Sequence, residues 1–265
     1  MLLLTLCKSI PFNFGERSVI IDRAIELLYY FCSMEDNQDN ILSIEPSKAI
    51  ECIKNAKRNT IILDFDQTLL LRNSTAEYIN SLRPRLIGFI LIKFLDVIKP
   101  WVWLPHPYKG HKVRDWFLVV VPTILLPWTL LLWQDKAKKL ALEYSNTELI
   151  CAVNSNLEAT IIVASLGFKF IIDPILQHLP MKYDLLVSCR FSKASDRTLG
   201  KLLMVQQVLS LSEIKSAILV TDSKDDLPLL QVVEQPCFVI WSLAKYITPF
   251  HDFWLRSLLK RINNK

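Results

Sequence analysis

Residues 59–71, NTIILDFDQTLLL, place two carboxylates, Asp64 and Asp66, directly behind an apolar run, with a hydroxyl at Thr68. The run at 61–63 reads as a buried parallel strand, and ligands in open α/β sheets collect at the carboxyl ends of such strands. Two acids on a strand that is turning into loop need not share a fate. One can offer an oxygen to a metal and a substrate, while the other swings in as a proton donor. Phosphoryl transfer to a carboxylate needs that division: a nucleophile, an acid for the leaving oxygen, and a cation to neutralise the approaching anion. Taken alone, the same residues also fit a strand followed by a polar turn with Asx-type hydrogen bonds.

The elements that would position these groups follow in order. Residues 146–156 predict a helix running into a turn, 159–164 a second buried strand with Ser165 at its end, and 168–179 a helix. A third strand is expected over 183–188, an amphipathic helix over 199–209, a fourth strand over 218–221 ending at Asp222, and a fifth over 237–241. Strands alternating with helices mean a parallel sheet with right-handed crossovers. Polar signals thus fall at strand ends or helix starts: Asp64/Asp66/Thr68, Ser165, Lys201, and Asp222 with Asp226. For Ser165 a helix N-cap is an equally good reading, with the same geometry.

In that order the motifs DFDQT, IIVAS, LGK and TDSKDD resemble those of the haloacid dehalogenase (HAD) superfamily, in its phosphoserine-phosphatase-like branch. The stretch IIVASLGFKFIIDPILQHL and the DLPLL at 226–230 are similar to that family as well. The resemblance spans about residues 59–241 and implies an α/β fold: a three-layer Rossmann-like HAD core, a parallel five-stranded sheet and a hydrophobic helical cap insertion. It implies Asp64 as nucleophile, forming an aspartyl-phosphate, and Asp66 as the acid that later activates water. Thr68, Ser165 and Lys201 would bind the phosphoryl group. Mg²⁺ would be held by Asp64, the Asp66 carbonyl and Asp222, with Asp226 supporting or completing the site. Gln67 and Thr221 stand where the family commonly has glycine, and neither change removes a reacting atom. Lys193 competes with Lys201 for the lysine role; Lys201 is preferred because it opens the helix leading into the Asp222 strand. Asp225 reads as a solvated turn carboxylate.

The insertion is the unusual part of the chain. The whole sequence is 51% hydrophobic with seven Trp and a mean hydropathy of +0.28, high enough to expect apolar surface meeting a membrane. Residues 86–98 are apolar except for Lys93 and Asp96, short for a bilayer span; residues 116–133 are uncharged but carry Pro122 and Pro127. Basic residues flank the longer run, and Trp101, Trp103, Trp116, Trp128 and Trp133 suggest headgroup belts. If strands before and after the insertion share one sheet, the chain must leave a membrane on the side it entered. A single crossing is thereby excluded. A re-entrant hairpin, an in-plane anchor, and a helical cap packed on itself or on a partner remain.

The domain limits expected are 1–57 for an N-terminal helical extension, including helices over 17–32 and 46–57, and 58–72 with 146–245 for the core. The cap takes 73–145 and an amphipathic tail 246–265. The N-terminal run does not read as a signal peptide. Net charge is +5 (31 Lys+Arg, 26 Asp+Glu), too mild and scattered for nucleic acid. Six separated cysteines without a CxxC pair predict reduced thiols. The histidines, His106, His111, His178 and His251, carry no catalytic signal. The expectation is a membrane-associated protein on the cytoplasmic face, acting on a phosphorylated small-molecule or lipid substrate at the membrane surface. The similarity to HAD domains beside UbiA-type enzymes further suggests a prenyltransferase-like membrane enzyme as partner. A non-catalytic HAD-fold scaffold or accessory subunit of a membrane complex, and a soluble phosphatase dimerising through its cap, stay open as alternatives.

Overall fold

The computed structural model describes residues 42–56 and 59–250. The helix expected over 17–32 and the tail from 251 onward lie outside the described residues. Strand β1 (Thr60–Leu63) has Ile61, Ile62 and Leu63 all fully buried. Successive strand residues point to opposite faces, so both faces of the sheet here must be covered. β1 is the middle of five parallel strands in the order β3-β2-β1-β4-β5, completed by β2 (Thr160–Phe168), β3 (Leu185–Cys189), β4 (Ile218–Thr221) and β5 (Gln235–Phe238). The α/β class and the Rossmann-like core with a five-stranded parallel sheet are therefore present. The chain winds outward from β1 to β3 and returns on the other side of β1 as β4, which makes the carboxyl end of β1 the topological switch point.

Seven helices of eight or more residues are labelled here: α1 (Pro46–Asn55), α2 (Ser74–Ser81), α3 (Arg85–Ile98), α4 (Arg114–Leu125), α5 (Thr129–Tyr144), α6 (Thr147–Ser155) and α7 (Lys169–Leu176). α1, expected to end the N-terminal extension, packs on α6 with Ala49 and Ile53 fully buried. Just before it, the Ile44 N–H donates to the Phe238 carbonyl at 2.8 Å, so this segment is tied to the core.

The insertion comprises α2 to α5. It leaves and rejoins the core through adjacent strands of backbone: the Leu71 N–H donates to Tyr144 O (2.7 Å) and the Asn146 N–H to Leu69 O (2.9 Å). The uncharged run of 116–133 is two helices, α4 and α5, bent by 120° at a break next to Pro127. Proline disfavours the helical conformation of the residue before it, and at Pro127 Leu126 leaves the helix at φ −128°, although Pro122 is accommodated inside α4. Among the described residues no single helix is long and apolar enough to cross a membrane; only that bent pair has the length and composition together.

Two of the tryptophans read as belt residues are core residues instead. Trp133 is fully buried, donates its indole N–H to Ile171 O (3.0 Å) and meets the Tyr78 ring edge-on at 5.2 Å; Trp101 is buried too. Their surroundings are the packed interior of the insertion and α7, which satisfies an indole N–H that would otherwise seek water. The helix expected over 199–209 is broken at Gly200 (φ +81°), leaving short helices Ser195–Leu199 and Lys201–Val205.

Candidate active site

Leu63 at the end of β1 pairs with Val163 on β2 and Val220 on β4. The next residues on the three strands, Asp64, Ala164 and Thr221, therefore stand level, with Ser165 and Asp222 one step beyond. Register alone gathers groups 157 residues apart in sequence.

Asp64 is 5% exposed. Its Oδ1 meets Lys201 Nζ at 2.8 Å and accepts the Phe65 N–H at 2.7 Å, while Oδ2 accepts from Thr221 Oγ1 at 3.0 Å. Lys201 Nζ also bonds Asp226 Oδ2, which the Thr221 hydroxyl approaches at 2.6 Å. One hydroxyl carries one proton, so Thr221 serves one carboxylate at a time. When it turns to the nearer Asp226, Asp64 Oδ2 keeps a free lone pair. Burial lifts the Asp64 carboxyl to about 6, with the Lys201 charge opposing and Asp226 and Asp222 adding to the rise. Burial works against the charge on Lys201, but Asp64 and Asp226 outweigh it and keep the ammonium protonated above the ordinary lysine range.

Asp66 is half-buried, and its Oδ1 accepts the Ser74 N–H (2.5 Å) from the first turn of α2. That turn is fixed by Asn73, whose side chain caps the helix through the Ala76 N–H. Burial raises Asp66 to about 6 against the pull of the Ser74 hydrogen bonds. A carboxyl that titrates near neutrality can both give a proton and take one back. The turn between the aspartates and Thr68 uses a left-handed residue, Gln67 at φ +60°. A non-glycine residue there costs on the order of 1 kcal/mol, which is the price of the missing glycine.

Thr68 is fully buried and donates its hydroxyl proton to Asp222 Oδ1 (3.0 Å), so it orients that carboxylate. Ser165, buried on β2, accepts the Gly167 N–H at 2.9 Å. It is not a helix cap: β2 runs on through Phe168, and Phe168 holds the N-cap position of α7 without a side-chain bond. Gly167 leaves room beside Ser165: a Cβ there would stand 2.8 Å from Ile172 Cδ1 and 3.2 Å from Ser165 Oγ, so both side chains would have to shift. Lys201 is buried within this cluster whereas Lys193 is exposed, and Asp225 is exposed as well.

Among the described residues, no group of three or more Asp, Glu, His or Cys side chains is arranged to hold a metal ion. Asp226, expected to support or complete such a site, is 1% exposed and has its Oδ2 engaged by Lys201 and Thr221. It faces the lysine because a buried ammonium requires countercharge. The residues do fit a divalent cation of another donor set. Burial leads the rise of Asp222 above the ordinary carboxylate range, and Asp64 and Asp222 repel each other across the strand ends. Asp226 Oδ1 is also buried without a hydrogen-bond partner. One or two carboxylates completed by carbonyl, water and substrate oxygens is the set Mg²⁺ prefers.

The cluster opens into a cavity of about 700 Å³. Ile92, Lys93 and Asp96 on α3 line its far side, and Tyr246, Pro249 and Phe250 close it from the other end of the chain. A chain of ion pairs crosses its wall from insertion to core: Asp96 to Arg114 (2.8 Å), Arg114 to Asp115 (3.7 Å), and Asp115 to Arg197. The sequence reading missed this chain, since no spacing links Asp115 to a residue 82 positions away. It also missed Asn146, whose side chain donates to Thr68 O (3.0 Å) while capping α6. An N-cap residue type ahead of a helix was the signal available there.

No family model matches the chain, and no curated protein does. Among solved structures, one described as a protein with unknown function from Bordetella pertussis Tohama I aligns with a TM-score of 0.50 at 15% identity, over 77% of this chain and 96% of that one. Another, described as a phospho-aspartyl intermediate analogue of phosphoserine phosphatase, aligns at a TM-score of 0.32 and 14% identity, over 78% and 99%. The first similarity shows the fold, and the second is too loose to add to it. What the site does has to be argued from its own geometry.

Proposed function

We propose that this protein is a HAD-type, Mg²⁺-dependent phosphomonoester hydrolase. The observation that carries the reading is the buried Asp64–Lys201–Asp226 cluster with Asp66 beside it, at a strand end that opens into the cavity. Asp64 Oδ2 attacks the phosphorus, the bond from phosphorus to the leaving oxygen breaks, and Asp66 gives that oxygen its proton. Water then attacks the aspartyl-phosphate, Asp66 takes the proton of that water, and inorganic phosphate leaves. Lys201 meets the charge that develops on the phosphoryl oxygens, and Ser165, which lines the cavity, would donate its hydroxyl proton to them. Thr68 keeps Asp222 aimed at the same point. Asp64, Asp222 and the Asp66 carbonyl would hold Mg²⁺, which when bound supplies charge neutralisation to the incoming phosphate. The cavity is lined mostly by polar and charged residues, with Ile92, Leu118 and Phe250 among its apolar part; a lipid or isoprenoid phosphate is favoured by the exposed apolar surface of the insertion beside it and not by the lining.

Phosphate release from a panel of phosphomonoesters, with and without Mg²⁺, tests this reading. Turnover that requires Mg²⁺ and falls at least about 10³-fold in Asp64→Asn is expected, the scale at which loss of a nucleophile shows. Folded wild-type protein that never exceeds the Asp64→Asn background on any substrate would leave the scaffold as the better account.

A further inference from the structure

Helix α3 is apolar on both sides. Gly88, Ile92 and Leu95 are buried towards the insertion's interior, as one face of an amphipathic helix should be. The opposite stripe, where a helix in water carries charges, has Ile87, Ile90, Phe94 and Val97 at spacings of three and four, with Phe94 58% and Val97 80% exposed. The surface continues at the bend between α4 and α5, where Ile124, Leu125, Trp128 and Leu131 stand in solvent, Leu131 at 76%. The Trp128 indole donates to Arg83 O, which joins that bend to the start of α3. An apolar patch of this extent is rare on a soluble monomer.

Charge indicates what covers it. Residues 83–114 hold seven Lys or Arg and one acid, Asp96, and that acid is already paired with Arg114. Arg83, Lys93, Lys99, Lys109 and Lys112 are exposed. A protein partner or a second copy would have to answer this excess with acidic groups, and the same patch on a second copy would repel it. Anionic headgroups above an acyl layer answer both the basic residues and the apolar stripe.

We propose that the outer face of α3, together with the bend between α4 and α5, docks on an anionic bilayer with α3 lying in the interface. Buried Ile92 and half-buried Asp96 of α3 line the cavity together with exposed Lys93 at its rim, so docking sets that side of the cavity against the lipid. Access for membrane-borne phosphomonoesters is the consequence, and that consequence rests on the phosphatase reading; the docking does not.

Sedimentation of the full chain with vesicles of phosphatidylcholine alone, or of phosphatidylcholine with phosphatidylserine, tests the docking. Binding to the anionic vesicles, weakened by salt and reduced at least tenfold in Phe94→Glu/Val97→Glu, is expected. Lys99→Gln/Lys109→Gln/Lys112→Gln should lower binding to the anionic vesicles and leave the weak binding to neutral ones unchanged. Unaltered thermal melting and unaltered Mg²⁺-dependent hydrolysis of a water-soluble aryl phosphate in the Phe94→Glu/Val97→Glu variant would separate loss of docking from loss of the fold or the site. Wild-type protein that stays in the supernatant overturns the proposal, as does binding indifferent to the α3 substitutions. So does a wild-type dimer that those substitutions turn into a monomer, because a second copy would then be the occupant.

Discussion

At the carboxyl edge of the sheet, Asp64, Lys201 and Asp226 are charged and buried; on the outer side of the insertion, Phe94, Val97 and Leu131 are apolar and exposed. Each region reverses the usual partition of residues between core and water. At the sheet edge the reversal is compensated inside the protein, since every buried charge there has a partner of opposite sign or a hydroxyl. On the insertion nothing among the described residues covers the stripe. A protein tolerates such reversals where function needs them, and on the proposed readings the two kinds differ in what would be supplied from outside: a phosphate and a cation in one case, an apolar surface in the other.

That contrast predicts unequal responses to mutation. The largest should come from Lys201→Met, which strips the shared countercharge from two buried carboxylates. Breaking a buried ion pair costs about 3–5 kcal/mol, read as a fall in the urea midpoint at neutral pH. A loss below about 1 kcal/mol would mean that the cluster is better hydrated than its burial suggests. A smaller effect, on activity, should follow from Asp66. With its carboxyl raised to about 6, the protonated form needed for the leaving group is depleted above that pH. The expected kcat/KM for alkyl phosphates then falls roughly tenfold per pH unit on the alkaline side. An aryl phosphate, whose leaving group needs no proton, should show no such limb; identical profiles for both would remove Asp66 from the acid role.

Thr221→Val keeps the strand and its volume but removes the hydroxyl shared by Asp64 and Asp226. A lost hydrogen bond to a charged group is worth about 1.5–3 kcal/mol, visible as a lower Tm. A neutral result would show that Lys201 alone holds the pair. The smallest response is expected from Phe94→Glu, within about 0.5 kcal/mol of wild type in solution, because its side chain gives up little burial. A large destabilisation there would erase the contrast and mean that the stripe is covered in the folded protein.

Local sequence carried a good deal of this. The apolar run into Asp64, the alternation of strands and helices, and the order of Ser165, Lys201 and Asp222 behind it follow from period and residue type, which the chain displays without folding. Pro127 likewise marks a break that backbone geometry imposes at once, whereas the helix expected over 199–209 runs through Gly200, whose positive φ the chain shows only when folded. Other features had no local trace. Whether Trp133 lies in a core or at a headgroup layer depends on Tyr78 and α7, and hydropathy is the same in either place. Spacing gives no sign that Asp226 shares Lys201 with Asp64 through its Oδ2, while its Oδ1 stays buried without a partner. The fifth strand begins at Gln235, two residues before its apolar run, because β4 sets where its hydrogen bonds start. The sequence by itself determined which residues could react and which segments pair with water or oil. Only the tertiary structure decided the partners, since the level of Asp64 with Thr221, the Asp115–Arg197 link and the burial of one face of α3 with exposure of the other all depend on contacts between residues far apart along the chain.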